Sequence, residues 1–173
     1  VGMALTGANQ LDAATRQLQA DAGLTAEEAA KAEHALAGMY RNNLQGFDAI
    51  GAAMAKVHND LGLVGDDADR ATAKFLKFST ATGIDAAQGV TLLDDVLDNW
   101  GLTAADAQDI MDKMIVSHQK WGGSIEENLN TLAQLAPALR AANFTVDDGI
   151  ELLGLFGARG LKAEAASAAF AKA

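Results

Sequence analysis

The sequence predicts an all-α protein, an array of about seven to eight short amphipathic helices joined by tight glycine-capped turns. Three observations carry this. The chain of 173 residues contains a single proline and is half apolar, a composition that favours helix. Its apolar residues recur at steps of three and four, and no stretch alternates over five residues without also fitting a helix. A short phrase also repeats: "TGIDAAQ" (82–88), "WGLTAAD" (100–106), "GGSIEEN" (122–128) and "NFTVDDG" (143–149). Each joins a helix stop to a helix start.

Taken in order, the first such junction is "AGLTAEEAA" (22–30), where Thr25 is an N-cap candidate and Glu28 stands at the capping-box position three residues later. A helix of about residues 26–40 follows, then a loop, "RNNLQGF" (41–47), then a helix of about 47–60. On that helix Phe47, Ile50, Met54, Val57 and Leu61 form one stripe. "LGLVGDD" (61–67), with two glycines, is the best internal boundary, so the chain reads as a helical segment over 1–60 and a helical core segment over 61–173.

Asp66 with Asp69 is the next candidate cap pair, followed by Asp85 with Gln88, Thr103 with Asp106, Ser124 with Glu127, and Thr145 with Asp148. Lys162 occupies the last such position and is a poor N-cap. The spacing leaves helices of about 15 residues, each about 22 Å long. Gly83 and Gly101 supply the left-handed residue that ends a helix, and Ile84 and Leu102 follow as the apolar residues that fold back on it. Stripes run through Val90, Leu93, Val96, Leu97 and Trp100, through Ala107, Ile110, Met114 and Ile115, through Ile125, Leu129, Leu132, Ala136 and Leu139, and through Val146, Ile150, Leu153 and Phe156. Pro137 interrupts one of them and is expected to kink or restart that helix.

The net charge is −10. Such a surface repels phosphate backbones and anionic membranes, so neither direct nucleic-acid binding nor membrane-surface binding is expected. No apolar run is long enough to span a bilayer. Cysteine is absent, which excludes disulfides, thiolate metal sites and a cysteine nucleophile. The beginning "VGMALTGANQ" has no signal-peptide pattern, and "AASAAFAKA" stops in mid-helix. Both ends read as cuts from a longer protein.

Chemistry is hard to find. His34, His58 and His118 are too far apart for a local zinc pair; His118 is expected at a helix end, and the other two on solvated faces. Asp66, Asp67 and Asp69, and again Asp147 and Asp148, fall in first turns, where acids complement the helix dipole. Asp94, Asp95 and Asp98 read as a wet helix face. Ser79, Ser117, Ser124 and Ser167 lack a nucleophile-elbow context. Trp100 and Trp121 each precede a glycine and read as packing residues, with Met111 and Met114 as adaptable filler beside them. No catalytic, cofactor-binding or metal-ligating residue is predicted, no cofactor is expected, and the chain is not read as an enzyme.

Residues 61–170 resemble the core region of phage tail tape measure proteins. The resemblance is carried by "FSTATGIDAAQGV", then "NWGLTAADAQDIMDKM", then "WGGSIEENLNTLAQLAPALRAANFTVDDGIELLGLFGARGLKAEAA", in that order and spacing. It implies a virion structural protein lying in the tail lumen, which sets tail length and leaves the tube during genome ejection, and which is present in the host cytoplasm during assembly. It also implies contacts with tail-tube and tail-tip proteins and with assembly chaperones, and self-association in the virion. Two other readings remain: a helical protein-binding module of another large protein, and a peptidoglycan-degrading helical domain.

Overall fold

The computed structural model describes residues 2–160, with side chains from residue 7 onward. The described residues form helices α1 (Gly2–Ala22), α2 (Ala26–Asn42), α3 (Phe47–Asn59), α4 (Gly65–Thr82), α5 (Ala86–Trp100), α6 (Ala107–Trp121), α7 (Ile125–Ala141) and α8 (Val146–Ala158), with a 3-10 turn at Ala104–Asp106 and no strand. The all-helical fold expected from the apolar periodicity is therefore the one observed. The 3-10 turn is an addition that periodicity does not reveal.

The junction chemistry is visible residue by residue. Thr25 accepts from the Glu28 N–H at 3.3 Å, and the Thr25 N–H donates to the Glu28 carboxylate at 2.8 Å. Thr145 and Asp148 repeat the same reciprocal pair at 3.2 and 2.8 Å. The Thr103 N–H donates to Asp106 at 2.9 Å. Ser124 accepts from the Glu127 N–H at 3.2 Å, and Asp85 accepts from the N–H groups of Ala87 and Gln88 at 3.0 and 3.1 Å. Each pair satisfies backbone donors that the first helical turn leaves unpaired.

The stops are equally local. With Gly101 at φ 68°, its N–H reaches Asp98 O at 3.1 Å and the Leu102 N–H reaches Leu97 O at 2.8 Å, the two bonds of a Schellman motif. Asn143, at φ 63°, does the same for α7: its N–H bonds Arg140 O at 3.0 Å and the Phe144 N–H bonds Leu139 O at 2.9 Å.

Two expectations need correction. Asp66 does not cap α4. The N-cap is Val64, two residues earlier and with no side-chain cap bond, and Asp66 and Asp67 lie inside the first turn. Left-handed Gly65 (φ 56°) opens that turn, and the Ala68 N–H reaches Val64 O only at 3.5 Å. Of the two outcomes expected at Pro137, a kink or a restart, the restart does not occur, since α7 is one helix from Ile125 to Ala141. The ring sits on the exposed side of the helix, where its bulk displaces no core residue.

The chain forms two compact units, Val1–Thr91 and Leu92–Ala173, with the division inside α5. The stretch 61–67, where the sequence suggests a boundary, lies within the first unit. There α1 packs on α2 and α3, and α3 packs on α4. Their core is Ala14, Leu18, Ala22, Leu36, Met39, Ile50, Ala53, Met54, Ala55, Leu76 and Ala86. Nearly half of these are alanines, which bring helix backbones close together. Gln45 ties the α2–α3 loop down, donating to Leu76 O and Thr80 Oγ1, both at 3.1 Å.

In the second unit α8 packs on α6 and α7. Its core is larger in grain: Trp100, Ile110, Met111, Met114, Ile125, Leu129, Leu132, Leu139, Ile150 and Leu153 are all buried. The Trp100 indole donates to Leu132 O at 3.0 Å. A Cβ on Gly149 would stand 2.8 Å from Leu132 Cδ1 and 3.1 Å from Trp100 Cζ2, and one on Gly154 only 2.2 Å from Trp121 Cε3. These two of the three glycines of α8 are therefore slots for bulky neighbours. Arg140 of α7 donates to Asn99 O at 2.8 Å, satisfying a carbonyl at the end of α5.

Candidate functional surfaces

The residue types that carry chemistry are mostly dispersed. His118 is exposed at the end of α6, with Nδ1 2.8 Å from Gly123 O. Asp95 and Asp98 lie on the wet face of α5, as expected, while Asp94 is half-buried. Asp147 pairs with Lys113, which also holds Asp109; both contacts are 2.6 Å. Ser124 is a cap, and Ser117 is buried within α6. Ser167 and Lys162 lie outside the described residues. Among the described residues no group of three or more His, Asp or Glu is arranged to hold a metal ion, and no helix is long and apolar enough to cross a membrane.

Hydrogen bonds and burial set the ionisation of several of these acids. In Glu28 the Thr25 hydroxyl and then the Thr25 N–H hold the carboxyl below the usual range. Asp106 is lowered by the Thr103 N–H and then its hydroxyl, and Asp148 by the Thr145 hydroxyl and then its N–H. In Asp69 the direction is opposite: burial first, and then the charge of Asp66, push its carboxyl up.

One concavity stands out, and it lies wholly in the first unit. It is a half-open groove of about 540 Å³, with an apolar floor of Leu18, Leu24, Ala32, Ala35 and Met54. Its rim carries Glu28, Lys31 and His34 from α2, His58 from α3, and Val64, Asp66 and Asp69 at the start of α4. The structure thus brings His34 and His58 to one place, which their positions in the sequence do not announce. The volume lies within the range of ligand pockets, about 300–1,000 Å³. What opens it is the pair Ala32 and Ala35, which put small side chains where the α2 stripe would otherwise fill the space. That signal is present in the sequence but means nothing until α1, α3 and α4 are placed around it.

With an all-helical array in place and no cluster of catalytic groups in view, relationship decides more than site chemistry. Residues 12–173 match the family described as phage-related minor tail protein. The chain belongs to that family. It is a phage tail protein, associated with the virion, and the match runs through both compact units. Searches of curated proteins and of solved structures give no significant match.

Proposed function

We propose that this chain is a structural segment of a tail tape measure protein, contributing to tail assembly, to tail-length determination and to genome ejection from the tail lumen. The observation that carries the reading is the ordered series of junctions over 61–170, in a chain whose membership of a minor tail protein family extends over 12–173. Fold and surface are compatible with it. Short helices joined at caps are small units that can open one at a time. An acidic exterior does not adhere to the DNA that shares the tube. Tail-tube and tail-tip proteins, assembly chaperones and further copies of the chain are the partners this role requires, with assembly taking place in the host cytoplasm.

The test is genetic. In-frame deletion of residues 92–160 from the parent reading frame shortens the tails seen by electron microscopy, and duplication of the same stretch lengthens them. Tails of unchanged length in both variants overturn the length-setting role and leave a tail component of another kind.

A further inference from the structure

The groove of the first unit has no part in the reading above, and its chemistry is specific enough to name an occupant. Its floor is apolar and includes Met54, whose unbranched thioether adapts to differently shaped guests. Val64 stands on its rim 63% exposed, an apolar side chain without cover. The charges around it are unequal. Glu28, Asp66 and Asp69 are acidic, against Lys31 as the one residue of the lining that is always cationic, and Lys31 is already paired with Glu27 at 2.9 Å. The groove is therefore an apolar trough with a negative edge, on a chain that is itself strongly acidic. A guest must bring apolar surface for the floor and positive charge for the α4 edge.

We propose that this groove is a docking site for a basic amphipathic helix of another protein, which inserts one or two aliphatic side chains between α2 and α4 and sets a lysine or arginine against Asp66 and Asp69. The half-buried position of Asp69 beside Asp66 supports this, since burial and like charge together raise its carboxyl, and an incoming cation relieves both. A helix laid in a groove is read through anchors at i, i+3 and i+4, which span little more than one turn, about 5.4 Å, so one or two neighbouring aliphatic side chains suffice as the insert. A second acidic copy of this chain is disfavoured as the occupant, because its charge matches that of the rim.

The experiment uses the whole chain and a defined probe. The probe is an amphipathic 16-residue helical peptide with a leucine face flanked by lysines, compared with the same peptide carrying glutamates in place of the lysines. Amide chemical shifts of the labelled chain are followed during titration. The lysine peptide is expected to move resonances of residues 18–35, 54–58 and 64–69, while the glutamate peptide moves none of them. Asp66→Asn combined with Asp69→Asn weakens lysine-peptide binding at least fivefold at low salt and by less at high salt, since screening removes part of the attraction in the parent chain. Ala32→Phe, which fills the floor from an already half-exposed position, abolishes binding while far-ultraviolet circular dichroism stays unchanged. Equal binding of both peptides, shifts centred outside the groove, or undiminished affinity in the double Asn variant overturns the proposal. Were Ala32→Phe to unfold the chain, the double Asn variant, altered only at the rim, decides alone.

Discussion

The two compact units solve the same problem, packing short helices closely, with different materials. The first brings α1 and α3 together through small side chains: Ala14, Ala22, Ala53 and Ala55 are all buried, and a Cβ on Gly51 would still lie 3.6 Å from Ala14 O. The second packs large against nothing, setting Trp100 and Trp121 on Gly149 and Gly154. An alanine interface is tolerant, because each contact is small and many are alike. A tryptophan seated on a glycine is a single fitted contact, and it fails as a unit. Both tryptophans lie in the second unit and the single tyrosine, Tyr40, lies in the first, so the two can be followed separately by fluorescence.

The largest expected effect is therefore at Trp100. It is buried to 6% exposure and its indole N–H is bonded to Leu132 O. Trp100→Ala removes the side chain and its added bond to a carbonyl of α7, for a loss of about 3–5 kcal/mol. Denaturant unfolding followed by Trp121 emission should report it. Amide hydrogen exchange in α1–α4 sharpens the comparison: protection there is expected to persist, and its collapse together with α6–α8 shows that the units unfold as one.

Next come two glycines whose replacement by alanine should have opposite signs. Gly154→Ala drives a methyl to within 2.2–2.8 Å of three indole atoms of Trp121, and overpacking of this kind costs about 1–3 kcal/mol. Gly51→Ala places its methyl at ordinary contact distance within α3, and helix propensity then favours the variant by about 0.5–1 kcal/mol. Thermal unfolding of both variants checks the pair. Two changes of the same sign would break the distinction between a slot and a spacer.

The caps should separate the units little. Thr145→Ala and Thr25→Ala each remove the hydroxyl half of a capping box and leave the backbone N–H half in place, and each is expected to cost about 0.5–2 kcal/mol, measurable by denaturant midpoint. A much larger loss at either site would mean that its helix is held chiefly by its start signal.

These differences explain what the sequence made legible. Caps and Schellman stops are written within six residues, so Thr25, Asp85, Thr103, Ser124 and Thr145 could be read directly, and Asn143 obeys the same rule with a residue other than glycine. Asp66 departs from this because an acid in a first turn and an acid at an N-cap look alike in sequence, and only the backbone at Gly65 distinguishes them. The two tryptophans were recognisable as packing residues, but not their glycine seats, which lie more than thirty residues further along the chain. The groove was invisible for the same reason. Its walls come from four helices, and its charge balance is a property of their placement, not of any one segment.

Acid separates the units by a smaller effect, whose sign follows from the carboxyls. Glu28, Asp106 and Asp148 have lowered folded values, so their contribution is complete only above the ordinary carboxylate values and is lost as the pH falls through the lowered ones. Two of the three belong to the second unit. The first unit holds Asp69, whose folded value is raised: its ionised form is a burden above that value, and protonation on acidification relieves it. Acidification should therefore weaken α6–α8 before α1–α4. In a titration from pH 6 to about pH 2, tryptophan emission is expected to change ahead of tyrosine emission. Asp69→Asn should raise the stability of the first unit at pH 7 while leaving it little changed at low pH, because an amide there resembles the protonated acid. If the variant is no more stable than the parent at neutral pH, Asp69 is not strained in the folded chain, and the reason for a cation at that edge of the groove weakens with it.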